Sequence, residues 1–307
     1  MTQQIWKDYY VDLSAYLVDN ACDYEIRISS DVIFAGRAVA DPDGNCNVRV
    51  NDICAGWLRT AMPDTSALGF TADDSLVDFA LYVGGTKVED ITLYRDWSYD
   101  RGWEPYTGGV SSDPIKLTID TRMPLLYSVL KSGSVSVNVR GTTTTVSATG
   151  PGVIAVPAQN ATGTVVIDGT TYTLEETCKR YALYYVNEWG GWDALLMDGG
   201  VETDAYDRST FRSDYDNGVE TNAGEHNWRT GVTRTWSLRT GVLTDAQARM
   251  MGHVVGSVQA YLLDMEEGTM LPVIMTDAEC TERRYALGKR KVEYTVGVRL
   301  AQSELRR

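Results

Sequence analysis

Five cysteines and two histidines are the residues of this chain that can ligate a metal or work as a nucleophile and its base. The cysteines, Cys22, Cys46, Cys54, Cys178 and Cys280, are odd in number, and none sits at C-x-x-C spacing. A structural zinc takes four Cys or His ligands, normally as two local pairs. Here the nearest cysteines are eight residues apart, and neither His226 nor His253 has a second histidine beside it. The expectation is therefore five free thiols made in a reducing cytoplasm, with no metal and no cofactor. Ser-His or Cys-His catalysis would have to use the same two histidines. His253, flanked by Met250, Met251, Val254 and Val255, reads as structural, and His226 lies in the polar stretch 222–227, read as a loop. There is no G-x-S-x-G, no G-x-G-x-x-G and no Walker-type loop. With 42 acidic residues, close carboxylate pairs arise by chance and carry no weight. No catalytic residue is assigned, and the chain is expected not to be an enzyme.

Asp41-Pro-Asp-Gly-Asn45 has the look of a calcium loop, but the glycine comes at the fourth position and Asp52, not Glu, at the twelfth. A helix-loop-helix calcium site wants Gly sixth and Glu twelfth. Strand-like flanks, 32–39 and 46–50, with Asp43-Gly44 between them predict a hairpin turn instead.

Two aromatic clusters and one basic pair are the candidate contact residues. Trp97, Tyr99, Trp103 and Tyr106 fall within the polar loop 96–106. Trp189 and Trp192 straddle a glycine pair at the end of an aromatic-rich strand. Glycines there permit a sharp reversal, with both indoles lying against the body of the protein or against a neighbour. Arg290 and Lys291 belong to a basic end: residues 278–307 hold 4 acidic and 8 basic side chains.

The elements that must position these residues are mostly strands. Residues 23–29 alternate with Tyr24, Ile26 and Ile28 on one face. Residues 76–83, Gly84-Gly85 and 86–94 spell a hairpin, and 115–119 a further strand. A short helix is predicted over 52–59 with Ile53, Trp57 and Leu58 on one side. Val, Thr, Ser and Gly dominate 126–175, the texture of a small β-sandwich. Further on, 181–187 and 231–238 read as strands, 201–229 as a long polar excursion, and 259–264, 270–275 and 290–300 as closing strands. Thr244-Asp-Ala-Gln247 fits a capping box. Ala246, Met250, Val254 and Val258 follow every fourth residue, with Met251 and Val255 beside them, so one amphipathic helix is predicted over 244–258. The fold class is mainly β, with two or three sandwich- or barrel-like domains: 1–125, a small insert or linker domain 126–175, and a C-terminal domain 176–307 that carries the helix.

Composition narrows the function. The 307 residues hold 30 aromatics (18 Tyr, 8 Trp, 4 Phe) and a formal net charge of −14. An isoelectric point near 4.6 argues against specific or nonspecific nucleic-acid binding and against anionic membranes, which need a cationic surface. No run of 18 apolar residues is present, so no membrane insertion is expected. The first residues lack a positive segment followed by an apolar one, and no secretory signal is expected. Residues 1–130 carry 20 acidic and 10 basic side chains, a net of −10.

The block Tyr181-x-Leu-Tyr-Tyr-Val-Asn-Glu-Trp-Gly-Gly-Trp-Asp193, the polar excursion, Trp236–Thr244 and Pro272–Asp277 resemble virion structural proteins of tailed phages and prophages of gut bacteria. Phe34–Gly44 running into Val48–Cys54 fits the same resemblance, which covers about 200 residues. It implies a non-enzymatic subunit of a tail or baseplate, a distal-tail adaptor first among them. Its partners would be copies of itself in a cyclic homo-oligomer and other tail proteins, and its location the virion tail, after synthesis in the bacterial host cytoplasm. An acidic N-terminal region lining a lumen would let DNA pass by like-charge repulsion. Two other readings stay open on the residues alone: a carbohydrate-binding surface module that stacks a glycan on the 96–106 aromatics, and a glycosidase using a carboxylate pair.

Overall fold

Strand pairing, rather than helix, satisfies most backbone amides among the described residues: strands take up 66% of these and helices 6%. The computed structural model describes residues 2–4, 9–74, 76–94, 118–129, 132–187, 190–213, 224–243, 248, 251–252, 254–284, 290–301 and 304–306.

Strands β1 (Thr2–Gln4) and β2 (Tyr10–Asp12) come first. β3 (Ala21–Ile28) and β4 (Asp31–Val39) pair antiparallel across a turn where Ser29 takes φ 54°. Cys22, Tyr24 and Ile26, every second residue of β3, are buried, as the alternation predicts. β5 (Asn47–Arg49) pairs with β2, not with β4. Asp41–Asn45 is thus a turn, but the expected hairpin is corrected: the strands it joins belong to different sheets. The short helix comes out smaller than predicted, as α1 (Asn51–Cys54) followed by a single 3₁₀ turn at Ala55–Trp57. Leu58 is buried there, but Trp57 is 45% exposed, because the tighter 3₁₀ winding takes it off the apolar face. After β6 (Gly69–Ala72), the predicted hairpin is present as β7 (Leu76–Val83) and β8 (Thr86–Tyr94). Gly84 and Gly85 supply its positive φ values of 57° and 80°. The first sheet runs β1-β8-β7-β3-β4. Ile26, Phe79, Leu81, Ile91 and Leu93 form its core with Val11, Leu13, Val48 and Cys54.

β9 (Thr118–Asp120) precedes β10 (Leu125–Val129), β11 (Gly133–Val139), β12 (Thr142–Ala148), β13 (Gly152–Val156), β14 (Gly163–Ile167) and β15 (Thr170–Glu175). β10 and β13 are buried at every position and pair with each other, with β6 on the far side of β13. The Thr- and Val-rich strands follow the order β12-β11-β14-β15 in a separate sheet.

β16 (Tyr181–Val186), β17 (Trp192–Met197), β18 (Gly199–Ser213), β19 (Gly224–Leu243), β20 (Ala260–Asp264), β21 (Thr269–Arg284), β22 (Arg290–Leu300) and β23 (Glu304–Arg306) build the largest sheet. Its order is β17-β16-β20-β21-β22-β19-β18, with β23 added on β19. The excursion predicted over 201–229 is corrected: 199–213 and 224–243 are two long antiparallel strands, and His226 lies in the second rather than in a loop. Polar residues obscured them, since both faces of β18 meet solvent and leave no apolar alternation to read. The amphipathic helix expected over 244–258 is not shown as such. Residues 244–247, 249–250 and 253 lie outside the described residues. Ala248, Met251, Gly252, Val254 and Val255 are helical, and Met251 and Val254 join the core of this sheet. Val255 and Val258, expected on the apolar stripe, are 43% and 60% exposed.

The described residues form two compact units: 1–113 with 124–174 and 187–192, and 114–123 with 175–186 and 193–307. In the second unit a fully buried carboxylate ties strands to loops. Asp120 Oδ1 accepts from the Arg122 backbone N–H at 2.9 Å and from Arg122 Nε at 2.8 Å. Its Oδ2 accepts from Arg122 Nη2, Thr177 N and Thr177 Oγ1 at 3.0, 3.0 and 2.5 Å. Burial alone would raise the Asp120 pKa, but the hydrogen bonds from Arg122 and Thr177 outweigh it and hold the group at about 2. A carboxylate ordinarily titrates near 3.9, so this group adds stability fully present above about pH 4 and lost as the pH falls toward 2. Asp120→Asn should cost about 2–4 kcal/mol at pH 7, because it weakens the charge-assisted hydrogen bonds from Arg122, whose side chain is 31% exposed, and from Thr177. Urea titrations across pH should show the difference from wild type shrinking between about pH 4 and pH 2; a pH-independent gap would refute the ionised role.

Candidate functional site

Among the described residues, three of the five thiols are buried and two are exposed. Cys22, Cys46 and Cys54 are buried free thiols, and Cys178 and Cys280 are exposed free thiols. Burial pushes the Cys54 thiol up to about 12, away from the thiolate a nucleophile needs. No group of three or more His, Cys, Asp and Glu side chains gathers in metal-binding range among the described residues. His253 lies outside them. Asp41, the leading acid of the calcium-like segment, holds its own turn: Oδ1 accepts from the N–H of Asp43 at 2.9 Å and of Asn45 at 2.8 Å. The Asn45 side chain donates to Oδ2 at 3.0 Å, and this bond is the main cause of a lowered Asp41 pKa.

One concavity, of about 530 Å³, opens on the first sheet between Asp23, Glu25, Gly36 and Tyr82. Its charges are internally paired. Glu25 holds Arg27 in an ion pair, the Arg27 guanidinium stacks 4.4 Å above the Tyr82 ring, and Arg37 lies 3.9 Å from Asp23.

The predicted contact residues fall into three groups. Trp97, Tyr99, Trp103, Tyr106 and Trp189 lie outside the described residues. Arg290 and Lys291 open β22, where Arg290 stands opposite Arg284 and Lys291 opposite Arg283. Like charges directly opposed across a strand pair disfavour it. Lys291 is exposed.

Trp192 is the best-defined of the eight, and the structure gives it a role inside its own chain, where it is 1% exposed. The turn before it closes on itself. Gly190, at φ 83°, donates to the Asn187 carbonyl at 3.0 Å, and Asn187 Oδ1 accepts from the Gly191 N–H at 3.0 Å. Three further bonds fasten the turn within the first unit. Thr60 Oγ1 donates to the Gly190 carbonyl at 3.1 Å, the Trp192 backbone N–H to Ser128 Oγ at 3.0 Å, and the indole Nε1 to the Ala61 carbonyl at 2.9 Å. Sequence reasoning isolated the Gly-Gly turn but missed Thr60, Ala61 and Ser128, which are remote in sequence and ordinary in type.

Trp192→Ala removes the largest fully buried side chain among the described residues. It should cost roughly 3–5 kcal/mol, read as a shifted midpoint in chemical denaturation. A well-folded variant with wild-type stability would overturn the anchoring role and return Trp192 to the surface contacts.

No protein-family model and no curated protein matches this chain. Among solved structures it is similar, at 10% identity and a TM-score of 0.24, to the cryo-EM structure of an extracellular contractile injection system, the PVC sheath-tube complex in its extended state; the alignment covers 42% of this chain and 90% of that one. A likeness that slight carries no argument about fold or role.

Proposed function

We propose that this chain is a non-enzymatic structural subunit of a phage tail or baseplate, assembling into a ring through aromatic and electrostatic subunit contacts and residing in the virion tail. The observation that carries the reading is strand length. β18, β19 and β21 run for 15, 20 and 16 residues, where a globular strand usually has five or six. Strands of this length reach past the core they cover, and most described side chains of β18 are exposed. That surface is more than a self-contained domain needs, and it suits a subunit built to meet neighbours.

The resemblance of the 181–193 block and its companions to virion structural proteins supports the same assignment. The domain limits 1–125, 126–175 and 176–307 are retained within this proposal. Trp97, Tyr99, Trp103, Tyr106 and Trp189 are the proposed aromatic contacts, since Trp and Tyr supply much of interface energy. Arg290 and Lys291 are the proposed electrostatic ones, docking on an acidic surface of a neighbour.

Light scattering after size exclusion, with electron microscopy of concentrated protein, should show cyclic oligomers, sixfold being the symmetry the resemblance implies. Deleting 289–307 is a poor probe, because β22 is an inner strand of its sheet. Arg290→Glu/Lys291→Glu should instead weaken the assembly and reduce its dependence on salt, since exposed charge pairs are screened. A strictly monomeric protein at every concentration refutes the ring, and a monomer that retains glycans on an array moves the reading to a surface-binding module.

A further inference from the structure

We propose that β18 is a self-association edge, pairing antiparallel with β18 of a second copy about a two-fold axis at Tyr206. The inference is separate from the ring, since a ring uses head-to-tail contacts and a two-fold axis uses one patch twice.

The sheet of the second unit ends on β17 at one side and β18 at the other, and the two ends differ. β17 is short and largely buried, and its first N–H is already taken by Ser128 Oγ. β18 pairs on one side with β19 and, among the described residues, has no strand on the other. Its irregularity with β19 falls between Ser209 and Thr210 and places the extra residue, Trp228, on β19, so β18 keeps an unbroken row of outward N–H and C=O groups. Such a row is a template for another strand. Beyond the segments of β19 that pair with β22 and β23, residues 209–213 and 224–229 pair only with each other among the described residues. A two-stranded ribbon is marginal by itself in water, so a third strand is what this arm lacks.

Charge order selects the occupant. Along β18, Glu202, Asp204 and Asp207 come first, and Arg208 and Arg212 follow. Antiparallel self-pairing sets the acidic part of one strand against the basic part of the other; parallel pairing in register would set like against like. A two-fold axis normal to the sheet keeps each face on its own side, so opposed residues must share parity and the axis must fall on a residue. Placed at Asp207 or Arg208, the axis opposes identical charges, and placed at Ala205 it pairs Glu202 with Arg208 but leaves Asp204 opposite Tyr206. Placed at Tyr206, it sets Asp204 opposite Arg208 twice, Val201 opposite Phe211 twice, and Tyr206 opposite itself. Val201 and Tyr206 are 55% and 53% exposed in the single chain. Asp204 meets Arg234 of its own chain through Oδ1 at 3.1 Å, and Arg208 of the second copy would extend that network.

The test uses the full chain with Cys178→Ser and Cys280→Ser, which removes its exposed thiols. Opposed residues in an antiparallel pair bring their Cβ atoms to about 4.5–5.5 Å. Tyr206→Cys should therefore form a covalent dimer under a mild copper oxidant, whereas Val201→Cys, whose partner is Phe211, should not. By light scattering, Arg208→Glu should lower the two-fold species at least tenfold, and Asp204→Arg/Arg208→Glu should restore it, with circular dichroism confirming the fold in each case. Absence of the Tyr206→Cys cross-link, or an association indifferent to both charge variants, overturns the proposal. Rings that persist in those variants leave the ring reading standing without it.

Discussion

Every amide of a strand needs a partner on both sides, and that constraint organises this protein more than any single contact. A protein whose described residues are two-thirds strand must either bury its pairing groups between neighbours or answer for them at its edges. β13 and β16 solve the problem from within: each is buried along its whole length, with strands on either side. The five-residue run Gly152–Val156 packs so tightly on β6 that a Cβ at Gly152 would lie 2.3 Å from the Thr71 carbonyl oxygen. There the absence of a side chain is a condition of the pairing itself.

The same constraint explains where the acidic residues go. Asp12, Asp41, Asp64 and Asp264 accept backbone N–H groups two to four residues ahead in the turns that end strands or begin loops. Asp120 does this for Arg122 and adds Thr177 from across the chain. Asp264 also holds Arg180 through two bonds of 2.7 and 3.0 Å. A high carboxylate count in a β protein is thus partly a count of turn closures, because a short anionic acceptor serves successive amides where no strand can. These groups sit among peptide N–H and arginine, which favour the charged form, and none gains the raised pKa expected of a general acid.

What could be read in the sequence followed from period and turn chemistry. The β7–β8 hairpin was legible because two glycines with positive φ stand between alternating runs, and the Thr- and Val-rich strands because their turns recur evenly. β10 and β13 escaped notice because a continuous apolar run has no period, and a buried strand then looks like any other buried segment. β18 and the first half of β19 were hidden for the opposite reason, since hydrophilic residues on both faces resemble a loop. The anchor at Trp192 was half legible: Asn187-x-x-Gly-Gly-Trp192 announces a tight turn, while its partners at positions 60, 61 and 128 depend on tertiary contacts that no local pattern encodes. The basic pair at 290–291 could be picked out by composition, but its opposition to Arg283 and Arg284 needed the strand register.

Long polar strands also settle a conflict between solubility and assembly. An apolar edge as long as β18 would pair with any exposed strand it met, the route to aggregation. Charged residues at 202, 204, 207, 208 and 212 leave the backbone row intact while making some alignments costly, because moving the axis to Asp207 or Arg208 brings aspartate to aspartate or arginine to arginine. Coulombic cost at an exposed edge is small per pair, yet a two-fold contact counts each mismatch against a gain that is itself modest. Discrimination between registers therefore needs only a few such pairs, and it comes without the hydrophobic surface that would make the single chain insoluble.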